Sequence, residues 1–339
     1  MQDGSYTDRG SLHSALVIAL CGLAAAFDAA LLCGDVDVSP LEVARILIAG
    51  PFAETEEAFK MYVIWGLRLP RVLCAALAGA IFALGGHLLQ RATGQPALDP
   101  FSVGATPGAV FGIFCLQMVR SRWLLAAPLI AGLGIPFVVW TIGDSLSRWR
   151  DRDKFTLIGF ILGSLLLAVV AVARAFLGGS ASAALPLMIG GFHLADWFDT
   201  LPLALALCLL MLICSMQQDN LRLLSSAAGG HVRERARAAI ALFACISAAI
   251  VASRFGALPM IGFMAPYAID RLLPQHRQYT ALLSSIAGAA TLTLLDTACR
   301  VRGEIPAGAV ALALGLPLFI IAILREDTKA NGEADIPGE

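Results

Sequence analysis

From Val72 to Gln90 the chain runs 19 residues without a formal charge. A helix that crosses the hydrocarbon core of a bilayer needs about 20 apolar residues, so this run already constrains the fold. Small residues recur along it, at Ala75, Ala76, Ala78, Gly79, Ala80, Gly85 and Gly86. Within lipid such residues let helix backbones approach closely. Arg68, Pro70 and Arg71 stand at the head of the run. A polar break from Arg91 to Gly94 ends it. A proline-bracketed turn, Gln95-Pro96-Ala97-Leu98-Asp99-Pro100, and a glycine-rich segment follow. The stretch reads as one full span, a tight turn and a short second span packed inside a bundle.

The rest of the chain agrees. It is 58% hydrophobic and 14% charged, against about 25% charged residues in a soluble domain. Mean hydropathy is +0.78. These values describe an all-α polytopic membrane protein whose helices form a single bundle in a lipid bilayer. The net charge of −1 suggests no nucleic-acid partner. None of the eight cysteines forms a CxxC pair, so they read as small buried hydrophobes rather than metal ligands or disulfides. His87 is alone on an apolar helix, and no pair of histidines has metal-ligand spacing. No cofactor or metal is expected.

Hydropathy and breaks place ten spans. They cover about 13–33, 66–90, 98–118, 123–143, 155–177, 199–216, 236–252, 258–273, 279–299 and 305–324. The third and eighth are short, and 182–196 reads as a partial helix. Residues 1–12 form an N-terminal segment, 13–325 the membrane domain, and 326–339 a polar tail. With both termini cytoplasmic, the larger basic loops fall inside, as the positive-inside rule asks. Between spans one and two, Ser39-Pro40-Leu41-Glu42 has the look of a helix start, and a short amphipathic surface helix fits 40–49.

Several blocks, taken in order, resemble the FecCD family of ABC importer permeases, proteins of BtuC-like fold. They are Leu67-Arg68-Leu69-Pro70-Arg71, the small-residue run from Gly79 to Gln90, and the turn Gln95 to Pro100, followed by Gly104 and Gly108-Ala109. Met188-Ile189-Gly190-Gly191-Phe192 and Pro259 to Pro266 come next. Leu295-Asp296-Thr297-Ala298-Cys299-Arg300, Glu304-Ile305-Pro306-Ala307-Gly308 and Gly315-Leu316-Pro317-Leu318-Phe319 complete the series. The resemblance implies a multi-pass permease of a bacterial inner membrane that carries an iron-siderophore, haem, cobalamin or similar chelate. It pairs with a second permease copy or a close relative, two ATPase subunits and a periplasmic binding protein. The chain has no G-x-x-x-x-G-K-[ST] motif, so ATP is bound elsewhere and the chain is not itself an enzyme.

The resemblance also assigns residues. Arg68, Arg71 and Arg300 match arginines that meet acidic groups on the binding protein. Fixed guanidinium charges at a wet rim would steer such a partner; the plainer reading is that they cap local structure. Gly85, Gln90, Pro96, Pro100, Gly104 and Gly108 shape the path or close helix packing. Asp296 reads as a structural contact of Arg300. The segment of about 217–237 matches the loop that couples to the ATPase, with Leu223, Leu224, Ser225, Arg233, Glu234 and Arg235 at its centre. It lacks the acidic pair and the Thr-Ala-Arg usual there. A heteromeric partner that carries the coupling therefore stays open, as does a secondary transporter or channel without an ATPase, which would show inverted repeats. A membrane-embedded enzyme would need convergent catalytic groups, and no such motif is present.

Overall fold

The computed structural model describes residues 4–34, 36–51, 58–119, 128–136, 152–176, 188–227, 230–273, 279–301, 303 and 305–334. The described residues form helices joined by turns and short irregular segments, and contain no strand. Its helices are α1 (Gly4–Leu32), α2 (Pro40–Ala49), α3 (Ala58–Tyr62), α4 (Leu69–Thr93), α5 (Ala105–Val119) and α6 (Arg152–Phe176). They continue with α7 (Trp197–Ala227), α8 (Gly230–Phe255), α9 (Ile261–Leu272), α10 (Thr280–Val301) and α11 (Ala307–Ala334). Residues 128–136 are also helical. A π-helical turn, Val63–Arg68, joins α3 to α4.

Six stretches among the described residues are long and apolar enough to cross a membrane: His13–Leu32, Ala58–Thr93, Ile158–Phe176, Trp197–Met216, Arg237–Phe255 and Thr280–Val301. Ala105–Met118 and Ala307–Ala322 are apolar but shorter. Most of the expected span four, and part of the segment 182–196, lie outside the described residues. The third span begins at Ala105 rather than near 98, because the turn before it holds two prolines and a Gly104 with φ of +84°. Proline removes a backbone donor, and positive φ favours glycine. The second span is longer than expected, since α3 and the π turn continue it backwards to Ala58.

α4 is the axis of the bundle. Its apolar window is 89% buried, against 17% for that of α6, so α6 lies at the periphery. α4 packs on α10, α8, α9 and α7. The small residues explain how. A Cβ built on Gly79 would stand 2.2 Å from the Gly288 carbonyl oxygen of α10, and one on Gly86 would stand 1.9 Å from that of Gly262 in α9. Backbone meets backbone at both crossings, which only glycine permits. Gly85 does not share this constraint: its nearest neighbour would be 3.7 Å away, on Ala244. The backbone-to-backbone approach falls on Gly86, while Gly85 packs on α8 at ordinary contact distance. Around these crossings Phe82, Leu84, Leu88, Leu203, Leu210 and Leu258 are wholly buried.

The surface helix α2 forms as its sequence suggests. Ser39 accepts from the Glu42 amide at 3.3 Å, and Glu42 accepts from the Ser39 amide at 2.7 Å. This reciprocal capping box, with Pro40 in the first turn, satisfies two otherwise orphaned donors.

Candidate functional site: an arginine rim and a broken-helix junction

Two features occupy the ends of α4. At its N-terminal end, the last turn of α1, the head of α4 and the last turn of α10 meet to form a rim. Arg68 is only 4% exposed. Its Nη1 donates to the Leu31 carbonyl at 2.6 Å and to that of Leu32 at 3.3 Å, and its Nη2 donates to Val36. Arg300 donates to the Ala30 carbonyl. The last carbonyls of a helix have no intrahelical partner, and a cation there also meets the favourable end of the helix dipole. Arg68 and Arg300 thus cap α1 from two other helices. Arg68 is buried against the end of α1 rather than standing at the surface of the rim.

Arg71 forms a two-pronged ion pair with Asp296. Its Nε and Nη2 donate to the two carboxylate oxygens at 2.8 and 3.0 Å. This geometry is among the strongest hydrogen-bonded pairings available to side chains. Asp296 therefore answers to Arg71 on α4, not to Arg300 one turn along its own helix. A side chain can reach a neighbouring helix as readily as its own next turn, and sequence spacing shows only the latter.

A further cation on this face escaped the sequence reading. Arg254, at the end of α8, is ion-paired with Asp199 at the start of α7. The arginine side chain is 54% exposed while the aspartate is 4% exposed, so Arg254 presents charge outward from a buried anchor. Its only sequence signal is a basic residue in the last turn of a helix. Beyond it, Lys60 and Glu42 pair at 2.7 Å. The Lys60 ammonium, with help from the Ser39 amide, holds the Glu42 carboxyl well below its ordinary value, at about 2.

The second feature lies near the other end of α4, where two non-helical segments meet the start of α9. The turn 95–104 satisfies much of its own backbone. Val103 donates to Asp99, Gly104 to Phe101 and Ala105 to Pro100, at 2.9 to 3.2 Å. Asp99, 2% exposed, accepts from the Phe101 amide at 2.9 Å, while its own amide donates to Ser102 Oγ at 2.9 Å. Its other carboxylate oxygen lies toward the backbone amides of Met260, Gly262 and Phe263, outside close hydrogen-bond geometry. That oxygen faces the first turn of α9, 2.5 Å from where a Cβ on Gly262 would be. Gln90 spans the junction: its Nε2 donates to Leu98 at 3.0 Å and to Gly262 at 3.4 Å. Met260, which precedes α9, has φ of +68°, a left-handed conformation that costs a side-chain-bearing residue energy.

Of the residues expected to shape this region, Gln90 and Pro100 are buried within it, and Pro96 lies exposed on its surface. Gly104 and Gly108 serve a neighbouring contact. A Cβ on either would strike residues 131–135, at 2.5 Å from Ile135 and 2.4 Å from Ala131 respectively. Asp99 carries the greatest chemical weight at the junction, yet in the sequence it is hidden as the acidic member of a turn. Irregular backbone at membrane depth is tolerated only where protein or a water-filled cavity satisfies it, and the junction is satisfied almost entirely from within. Among the described residues no group of three or more His, Cys, Asp and Glu could hold a metal ion.

The residues expected to couple to an ATPase fall where α7 ends at Ala227 and α8 begins at Gly230. Leu223, Leu224 and Ser225 lie on the first helix, and Arg233, Glu234 and Arg235 on the second. Their side chains lie outside the described ones.

The FecCD transport family matches residues 21–325. The chain is 28% identical over 310 residues to the Fe(3+) dicitrate transport system permease protein FecC of Escherichia coli K12, covering 86% of this chain and 90% of that protein. It is 30% identical over 285 residues to the vitamin B12 import system permease protein BtuC of Escherichia coli O157:H7, covering 77% and 83%. Among solved structures, an inward-facing transporter assigned to the metal-chelate ABC type superposes with a TM-score of 0.66 at 23% identity, covering 91% of this chain and 98% of that one. PsaBC from Streptococcus pneumoniae superposes at 0.55 with 12% identity, covering 82% and 94%. At those identities the two structures speak for the fold.

Proposed function

The chain belongs to the FecCD transport family, and from that premise we propose that it is the membrane-spanning subunit of an ABC importer. It moves an iron-siderophore, or a similar chelate such as haem or cobalamin, from periplasm to cytoplasm. The observation that carries this reading is the junction at the start of α9. There a short discontinuous helix, the proline-bracketed turn and Gln90 interlock against the glycine face of α4. A short, discontinuous helix packed inside the bundle is the kind of element that an alternating-access path can shift.

The rest follows from orientation. With both termini cytoplasmic in a bacterial inner membrane, the rim faces outward and receives a periplasmic binding protein. Arg71 and Arg300 give the docking surface its base, and Arg68 holds it from beneath. The opposite end, where α7 turns into α8, meets the ATPase through the segment around Leu223 to Arg235. ATP hydrolysis resides on two partner subunits. The path forms between this chain and a second permease, either a copy or a relative.

Co-purification tests this directly. The full chain, expressed with its neighbouring transport genes and extracted in mild detergent, should retain a P-loop ATPase and bind a periplasmic binding protein. Isolation with neither, combined with chelate uptake into vesicles that contain no ATPase, would replace the importer with a secondary transporter.

A further inference from the structure

The eighth span is part extended chain and part helix. α8 ends at Phe255 and α9 begins at Ile261. Residues 256–260 between them are non-helical, and every one is buried. The neighbouring helices gauge the distance this limb covers. Gly85 of α4 meets Ala244 of α8, and from Ala244 the helix climbs about 16 Å to Phe255 at the rim end. There Arg254 pairs with Asp199, and Asp196 accepts from Cys74 Sγ at 3.8 Å, one turn along α4 from Arg71. Gly262, by contrast, stands against Gly86. The chain therefore comes back down by about as much between Phe255 and Gly262. Fully extended, the steps from Phe255 to Ile261 reach about 20 Å, so the limb is nearly straight and has little slack.

Backbone contacts fix both ends of the limb. At the rim end, Gly191 donates to the Phe255 carbonyl at 2.9 Å, and Gly308 donates to that of Gly190 at 3.3 Å. The Ala257 carbonyl oxygen lies 2.6 Å from where a Cβ on Gly190 would stand, and 2.9 Å from where one on Gly308 would. Gly190 has φ of +80°, a conformation that favours glycine. The breaks before α7, α9 and α11 thus meet backbone to backbone. At the inner end, the Met260 carbonyl accepts from Phe263 and Met264 at 3.1 and 2.8 Å. Its side chain packs with Ala97 and Phe263, so the limb ends inside the junction. A slack connection absorbs a displacement. A straight one clamped between packed backbones passes it on, because close-packed interiors transmit strain.

We propose that limb 256–260 is a tie: the rim-side meeting of Gly190, Ala257 and Gly308 and the start of α9 move together. The tie is a property of the chain alone. Its use rests on the importer reading, in which a binding protein seated on the rim acts through the limb on a junction it never touches.

Hydrogen exchange of the full chain in lipid nanodiscs, read by mass spectrometry of its peptides, gives the test. It uses no binding protein, ATPase or chelate, so its failure leaves the importer reading standing, and uptake can fail with the tie intact. In the unsubstituted chain, 188–192 and 261–266 should open in one event on warming. Their exchange, corrected for intrinsic rates, should agree within about threefold while 284–288 in α10 stay closed. Gly190→Ala drives a methyl onto the Ala257 carbonyl; it should speed exchange at 261–266 by about fivefold or more and leave 284–288 unchanged. A glycine inserted between Ala257 and Leu258 gives the limb slack, and in that chain Gly190→Ala should change 261–266 by less than about twofold. Separate opening of the two segments in the unsubstituted chain would overturn the proposal, and that measurement needs no variant to fold. So would a response that persists in the lengthened chain, or one that 284–288 share equally.

Discussion

Substituting Arg71 should destabilise the bundle as a whole, and the structure sets the size of the effect. The guanidinium holds both oxygens of Asp296 at 2.8 and 3.0 Å, with side-chain exposures of 12 and 6%. At about 3 Å and an effective dielectric near 20, the direct attraction is about 5 kcal/mol, and desolvation offsets much of it. Removing one partner is different, because it strands the other charge in a buried site at a cost of about 3–5 kcal/mol. Arg71→Gln should therefore lower stability by about that much. Asp296→Asn should do the same, and the double substitution should cost less than the sum by roughly 2 kcal/mol. Unfolding of the purified chain in mixed micelles, followed by tryptophan emission across the four proteins, measures the cycle. Two additive losses below about 1 kcal/mol each would mark a solvent-exposed pair and refute the clamp.

Three further outcomes follow from the same geometry. Gly86→Ala places a methyl 1.9 Å from the Gly262 carbonyl oxygen and should cost about 1–3 kcal/mol through overpacking. Gly85→Ala, whose methyl would meet Ala244 at an ordinary contact distance of 3.7 Å, should not lower the thermal midpoint. Asp99→Ala strands the Phe101 amide and should cost about 1–3 kcal/mol, whereas Asp99→Asn keeps an acceptor and should be nearly neutral; equal losses for both would deny the carboxyl its turn-holding role. At α2, the folded carboxyl of Glu42 lies below its ordinary 4.5, at about 2. Its contribution to the cap is complete above pH 4.5 and fades as pH falls through 2. A carbon-detected titration of Glu42 should show that low midpoint, and Lys60→Gln should raise it.

Much of this architecture can be read from local pattern. The α2 cap was legible because all its parts lie within four residues, and the spans because charge-free runs of membrane length have few other uses. The interlocked arginines were not. Arg71 meets an aspartate 225 positions away and Arg68 caps a helix ending 36 residues earlier, so their motif shows that they matter but not what they touch. The same limit left Gly85 and Gly86 equivalent in the small-residue run: two adjacent glycines look alike until a neighbouring helix chooses one. Asp99 was obscured because turn chemistry already accounts for an aspartate between two prolines. Its placement against the start of α9 depends on a segment more than 150 residues further on.

The central claim is that this chain forms a chelate path driven by ATP hydrolysed on another subunit. The most direct measurement is uptake of a radiolabelled ferric chelate into proteoliposomes that contain the chain with its partner ATPase. Binding protein is supplied outside and ATP inside. Uptake should require all three components and should cease when the P-loop lysine of the ATPase is replaced. Uptake that persists without ATP, or that follows an imposed ion gradient instead, would contradict the account.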